Sequence, residues 1–344
     1  MSKESLFGKT LDELKEIELQ LGLPLYNAGQ IAQWLYNKRA SSISDITNLS
    51  KKAREILTEK YNFGISFPLN EQISVDGTKK YLFQVHNTHF IESVYIPEDN
   101  RKTLCVSSQA GCKMNCVFCM TGKQRFQCQL TANEIVNQIR SIPESELLTN
   151  VVFMGMGEPL DNLSEVLKSI KILTSEWGFG WSPRRINLST IGIIPELKRI
   201  IEETDIHIAI SLNSPFHEER KMLMPIEEKY PITQIVDTLR NYNFGKQRRI
   251  SFEYIMFKDV NDTENHIKGI SKLLNGLRCR INLIKFHAIP NTTLQGSSIK
   301  KIEWFSEQLE KKDFIVTIRK SRGEDIFAAC GLLSADYKLK SSHI

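Results

Sequence analysis

A chain of 344 residues, 41% hydrophobic and 25% charged, has the composition of an ordinary globular protein. No apolar run approaches ~20 residues, which excludes a membrane-spanning helix. The N-terminus, MSKESLFGKTLDELKEIELQLGLPLYN, lacks the apolar stretch of a secretory leader, so a cytoplasmic location is expected. The net charge of +5 permits a nucleic-acid partner without requiring one.

Residues 1–70 read as a small helical accessory domain. Thr10-Leu-Asp-Glu-Leu is a capping-type start. Apolar residues then recur at three and four along Ala28–Tyr36 and Ser50–Tyr61. Over residues 1–60, nine Lys/Arg oppose eight Asp/Glu. An RNA-binding role for this part would therefore rest on a few groups such as Lys38, Arg39, Lys51 and Lys52. A packing appendage is the alternative. Residues 71–98 form a β extension, in which Lys80–His86 and Phe90–Ile96 alternate as an antiparallel pair.

From 99 to 335 strands and helices alternate, with 336–344 left as a tail. Strands are expected at Thr103–Ser107, Asn150–Met154, Arg185–Thr190, Ile206–Leu212, Arg249–Met256, Arg280–Phe286 and Phe314–Arg319. Helices are expected at Thr131–Arg140, Leu163–Leu173, Pro195–Glu202, Ile232–Asn241, Asn261–Leu274 and Lys301–Lys311. This repetition predicts an α/β fold, a partial (β/α)6-type barrel with its chemistry at the C-terminal strand ends.

Seven cysteines are present, and four of them, Cys105, Cys112, Cys116 and Cys119, fall within fifteen residues. A disulfide framework does not suit a chain of this length. Cys112-Lys-Met-Asn-Cys116-Val-Phe-Cys119 directly follows the first barrel strand. Three thiolates can hold three corners of a [4Fe-4S] cluster and leave one iron open. Structural zinc is the alternative, but zinc usually takes four ligands, and no second Cys pair stands nearby. Three further runs end successive strands: Met154-Gly-Met-Gly-Glu-Pro, Leu188-Ser-Thr-Ile-Gly and Ser211-Leu-Asn-Ser-Pro. Their glycines, hydroxyls and amides suit a nucleoside and an amino-acid tail. From 98 to 125, five basic residues (Arg101, Lys102, Lys113, Lys123 and Arg125) oppose two acidic ones. Lys320 and Arg322 lie near Cys330. The first group is expected around the cluster run and the second beside the Cys330 loop, where phosphates would dock.

The cysteine run resembles that of the radical S-adenosylmethionine (SAM) enzymes. With it, Thr103-Leu-Cys105-Val-Ser-Ser-Gln-Ala-Gly-Cys112, Met154–Pro159, Ser182-Pro-Arg-Arg, Met224-Pro-Ile and Ile318-Arg-Lys-Ser-Arg-Gly-Glu-Asp-Ile-Phe-Ala-Ala-Cys330-Gly resemble the 23S rRNA adenine-C2 methyltransferases that also act on tRNA. The likeness spans nearly the whole chain. It implies methylation of adenine 2503 of 23S rRNA and adenine 37 of tRNAs. Two SAM molecules would be used. The metal ligands would be Cys112, Cys116 and Cys119. Cys330 would carry a methyl group, later a methylene radical. Cys105 would release the RNA by a transient disulfide with Cys330, and Glu92 would accept a proton. SAM would be bound at Gly157, Glu158, Ser189, Ser211, Leu212, Asn213 and His287. Asn213 stands where many relatives have His, and His287 where many have Asn. On residues alone, Cys330 in Ala-Ala-Cys-Gly also reads as a packing cysteine.

Cys128 and Cys279 match no role in that pattern, and His207 reads as a strand residue. An electron donor such as flavodoxin or ferredoxin and a monomeric state are further expectations. The rival readings are C8 methylation of the same rRNA adenine and a non-catalytic RNA-binding assembly factor.

Overall fold

The computed structural model describes residues 3–38, 40–245 and 248–334. Arg39 and the 336–344 tail therefore lie outside the described residues. Among these, no helix is long and apolar enough to cross a membrane.

Three helices, α1 (Leu11–Gln20), α2 (Asn27–Tyr36) and α3 (Lys51–Lys60), open the chain. Thr10 and Glu13 form a reciprocal capping box at α1, and the Ser50 hydroxyl accepts from Ala53 N–H at α3. Their apolar stripes, including Leu14, Ile17, Ile31, Leu35 and Leu57, bury against Leu6, Phe7 and Ile46. Val136 and Ile172, from helices of the following barrel, complete that core, so the helical unit is packed onto the barrel.

The remainder is built on one ten-stranded sheet. Its strands are β1 (Asn70–Ile73), β2 (Lys79–Val85), β3 (His89–Glu98), β4 (Arg101–Cys105), β5 (Asn150–Phe153), β6 (Ile186–Thr190), β7 (His207–Ser211), β8 (Ile250–Met256), β9 (Arg280–Lys285) and β10 (Ile315–Arg319). Each strand lies beside its predecessor in the chain. β1 to β4 pair antiparallel, and β4 to β10 pair parallel. Six crossovers join the seven parallel strands. They carry α4 (Met120–Lys123), α5 (Ala132–Arg140), α6 (Leu163–Thr174), α7 (Ile194–Glu203), α8 (His217–Leu223), α9 (Ile232–Arg240), α10 (Glu264–Leu274) and α11 (Ile299–Glu310). The sheet ends, β1 and β10, are not paired to each other, so the barrel is partial, as expected.

The expected helices appear within a few residues of their predicted bounds. α10 begins later than expected because Asn261 is spent in the turn before it. Its amide donates to Asn213 O and Ile255 O, both at 2.7 Å, and Thr263 caps the helix instead.

Register fixes what faces the barrel lumen, because alternate residues share a face. Cys105 pairs with Val94 and Val152, Val152 with Asn187, and Asn187 with His207. Ser211 pairs with Glu253, and Glu253 with Asn282. One face of the sheet therefore carries Glu92, Cys105, Ser189, Ser211 and Glu253 together.

Candidate active site

Cys105 ends β4 and is buried. The chain then forms the loop that carries Cys112, Cys116 and Cys119, and a two-residue pair, Gln109–Ala110 with Cys128–Gln129, closes its base. Gly111 (φ +72°) is obligatory there, because a Cβ would lie 1.9 Å from Arg125 O. Burial pushes the Cys112 thiol up to about 12, and Cys119 adds to the effect. Cys116 is raised further by burial, then by Cys119 and Cys112, while Arg220 opposes the shift. The three thiols thus stand within electrostatic reach of one another in a weakly polar loop.

Raised in this way, the Cys112 and Cys116 thiols are not activated nucleophiles. They are suited to ionise on binding metal, which deprotonates them outright. Among the described residues no three His, Cys, Asp or Glu side chains converge on a single-ion site. In a cubane each cysteine binds a different iron, so the ligands need not converge on one point. A donor set of three cysteines with no fourth ligand nearby in sequence fits an iron–sulfur cluster better than zinc, which usually takes four.

Cys330 lies in the loop after β10 and is exposed, not packed in the core. Surrounding protein still pushes its thiol up to about 11, with Glu253 raising it and Arg319 opposing. Cys330 also raises Cys105, whose burial already takes it to about 12. The two cysteines therefore lie within Coulomb range of each other, and Cys119 acts on Cys330 in the same way.

The Cys330 loop is held from both sides. On the cluster side, Met120 N–H donates to Gly331 O at 2.8 Å and the Thr121 hydroxyl to Leu333 O at 2.8 Å. On the hairpin side, Lys80 Nζ donates to Ile326 O at 2.5 Å. Asp325 accepts from the Ser74 hydroxyl and Val75 N–H, and Asp76 from Gly323 N–H. The expected proton acceptor, Glu92, is buried in β3 with Lys80 Nζ 3.4 Å away. Its other carboxylate oxygen accepts from Ser334 N–H at 3.0 Å. The β extension thus forms the wall behind Cys330.

The expected SAM-binding positions line the strand ends, but several side chains are already engaged. Gly157 has φ +96°, and a Cβ there would lie 2.5 Å from Gln109. The Glu158 carboxylate turns inward and accepts from the Thr190 hydroxyl at 2.5 Å, Ile191 N–H at 3.0 Å and Leu160 N–H at 3.1 Å. Burial raises it to about 7. Asn213, at φ +54°, spends its amide on Ile255 N–H and Met224 Sδ. His287 bonds the Ser321 hydroxyl at 2.8 Å and lies 3.5 Å from Glu324, toward the Cys330 loop. Ser189 and Ser211 are part-exposed on the lumen face, whereas Leu212 is buried.

Some groups lie elsewhere than expected. Arg101 and Lys102 sit at the N-terminal end of β4, at the opposite barrel mouth from the cluster loop. Lys113 is paired with Asp161 at 2.8 Å, and Lys123 donates to Pro290 O at 2.7 Å. Cys279 immediately precedes β9, and His207 opens β7, as expected of it. Arg220 went unnoticed in the sequence. It is wholly buried, pairs with Glu227, and donates to Leu212 O at 3.0 Å, Ser211 O at 2.8 Å and Ile191 O at 3.2 Å. An arginine in the polar helix run His217-Glu-Glu-Arg gives no sign that it turns inward.

The radical SAM superfamily matches residues 106–268, and the ribosomal RNA large subunit methyltransferase N-terminal domain matches residues 5–62. The chain is 57% identical over 334 residues to a probable dual-specificity RNA methyltransferase RlmN of Bacteroides fragilis, covering 97% of each. It is 41% identical to the dual-specificity RNA methyltransferase RlmN of Desulfotalea psychrophila, covering 99% of this chain and 97% of that one. A radical SAM methyltransferase from Sphaerobacter thermophilus superposes with a TM-score of 0.91 at 35% identity, over 97% of this chain and all of that one.

Proposed function

The chain belongs to the RlmN family of dual-specificity RNA methyltransferases in the radical SAM superfamily, and from that premise we propose that it methylates C2 of adenine 2503 in 23S rRNA and of adenine 37 in tRNAs. Cys112, Cys116 and Cys119 hold a [4Fe-4S] cluster. SAM occupies the rim formed by Gly157, Glu158, Ser189, Ser211, Leu212, Asn213 and His287, through backbone groups where side chains are already engaged. A cluster held by these three thiolates would supply the single electron for reductive cleavage of SAM, and SAM so cleaved would supply the hydrogen-abstracting radical.

The rest is done by the chain's own residues. Cys330 sulfur takes a methyl group from a first SAM as the sulfonium–methyl bond breaks. Losing one hydrogen, this S-methyl group becomes a carbon radical that adds to C2, a carbon too poor a nucleophile for polar transfer. Glu92 takes the C2 proton, one electron passes from the adduct to the oxidised form of the external flavodoxin- or ferredoxin-type carrier, and the base remains bonded to Cys330 through a methylene. The Cys105 thiolate then attacks Cys330 sulfur. The sulfur–carbon bond breaks, the carbon gains a proton to become the methyl product, and the two cysteines leave as a disulfide. An external reductant such as flavodoxin or ferredoxin resets both disulfide and cluster.

The observation that carries this reading is the seam between the two loops. Met120–Gly331 sets Cys330 beside the cluster loop while Cys105 faces it from β4. The family premise extends the reading to a cytoplasmic monomer. Residues 1–70 add RNA contacts, 71–98 extend the wall, and 99–335 form the catalytic barrel. The test is a Cys105→Ala variant isolated from cells. It should carry nuclease-sensitive RNA bonded to the Cys330 peptide, with the adduct mapped to C2 rather than C8. Protein free of RNA, or reconstituted protein that binds no iron, counts against the reading.

A further inference from the structure

We propose that the N-terminal mouth of the barrel, opposite the cluster loop, binds the phosphodiester backbone of the substrate RNA through Arg101, Arg249 and Arg280. The inference rests on the RNA reading above and names the surface that serves it.

Strand geometry places all three on the lumen side. Arg101 opens β4 and shares the face of Thr103 and Cys105. Arg249 directly precedes β8, on the face of Ser251 and Glu253. Arg280 opens β9 and pairs in register with Ser251. β4 lies four strands from β8, yet Arg101 and Arg249 repel each other, and Arg280 repels Arg249. Arg249 is therefore within electrostatic reach of both Arg101 and Arg280 at this mouth.

A like-charged cluster of this kind lacks its counter-ion. No carboxylate among the described residues forms an ion pair with Arg101, Arg249 or Arg280, and only Glu98 acts on Arg101 from further away. Arg249 spends only its Nε, on the uncharged His207 ring at 3.3 Å, which leaves the two terminal nitrogens of its fork available; nearby arginines with structural work commit more of theirs to backbone carbonyls. Arg185 donates to Thr149 O and Leu148 O and stacks on Trp181. Arg248 donates to Ile206 O and Ile201 O at the end of α7. His207, at the same mouth, reports the field. Burial and then Arg249, Arg248, Arg101 and Arg184 push its imidazole down to about 4, so it stays neutral. Guanidinium forks match phosphate oxygens in shape as well as charge.

The mouth also leads to the reacting sulfurs. Arg101 feels Arg319, and Arg319 acts on both Cys105 and Cys330. From Arg101 to Cys105 is four residues of strand, about 13 Å. The opposite mouth is crossed by the Met120–Gly331 and Thr121–Leu333 bonds. A base splayed from its stack can reach Cys330 from the arginine side while its flanking phosphates stay on the ring.

The test is RNA binding by the full chain, read by anisotropy of a labelled hairpin bearing the target adenine across a salt series. Arg101→Gln and Arg249→Gln should each weaken binding severalfold and lower the salt slope by about 0.7–0.9. Arg249→Lys should keep most of that slope. His207, followed by NMR, should titrate at higher pH with RNA bound, because phosphates offset the arginines. A double Gln variant that melts like wild type and keeps the full salt slope overturns the proposal. So does inorganic phosphate that binds the mouth without competing with RNA, which would mark a free-anion site. Wild-type protein that binds no RNA would instead sink the functional reading itself.

Discussion

The backbone N–H of Met120 donates to the carbonyl of Gly331 at 2.8 Å, so the residue after Cys119 is bonded to the residue after Cys330. Two loops separated by most of the barrel in sequence thus meet at one seam. The bond needs no side chain, so no residue type announces it. Its effect is to fix how far Cys330 stands from the three-cysteine run.

The same seam contains a side-chain bond that can be removed. Thr121 is buried, and its hydroxyl donates to Leu333 O. Thr121→Val leaves that carbonyl unpaired and should cost about 1–3 kcal/mol in urea unfolding. Cys330 should also be alkylated faster by iodoacetamide, since its loop loses a tether. Lost stability with an unchanged alkylation rate would show that Thr121 does not position Cys330.

Lys80 and Glu92 form a buried pair on the other side of that loop, with Lys80 also donating to Ile326 O. Removing one partner of a buried pair typically costs about 3–5 kcal/mol. Lys80→Met should fall in that range and should lower the S-methyl content of Cys330 seen by mass spectrometry. The Lys80→Met/Glu92→Gln double variant should recover part of the stability but none of the methyl transfer to RNA. Full additivity of the two losses would argue against coupling.

The barrel was legible in the sequence because most of its strands are short runs carrying Val or Ile and most of its longer helices are amphipathic. The three-cysteine run was legible because its spacing is local. Cys330 was ambiguous, since Ala-Ala-Cys-Gly suits a core as well as a loop, and the bonds that hold its loop come from Met120, Thr121, Lys80, Ser74 and Asp76, all distant in sequence. Basic residues misled most. Arg101 is close to Cys105 in sequence, yet a strand of five residues carries it to the opposite mouth. Glu158 looked free to meet a ligand, but Thr190 and Ile191 come from another strand end to occupy it.

His207 gives the fold a pH dependence of definite sign. Its folded pKa lies near 4 against 6.5 when exposed, because burial and four arginines oppose the imidazolium. Above 6.5 the imidazole is neutral in both states and contributes nothing to the pH dependence. As pH falls through 6.5, the unfolded chain takes up a proton that the native one refuses, and stability drops until about pH 4. The loss should be about 2 kcal/mol at pH 5. Urea unfolding of wild type and His207→Gln at pH 7 and pH 5 isolates it, since the variant should lack this share of the acid loss. Equal acid sensitivity in both would mean that His207 titrates normally.

Arg220 offers the sharpest separation of shape from charge. It is the largest fully buried side chain among the described residues, and its fork gathers the carbonyls of Ile191, Ser211 and Leu212 while pairing with Glu227. Those carbonyls belong to the ends of β6 and β7, where Ser189 and Ser211 face the lumen. Glu227 meanwhile also accepts from Ile232 N–H at the start of α9. Arg220→Met should destabilise by about 3–5 kcal/mol, because Glu227 is left as a buried charge. Arg220→Lys keeps the charge but lacks the planar fork and cannot reach all three carbonyls. It should therefore recover stability in thermal melts more fully than it recovers SAM affinity in calorimetry. If Lys restores both to the same degree, Arg220 acts only as a counter-charge, and the strand ends do not depend on its geometry.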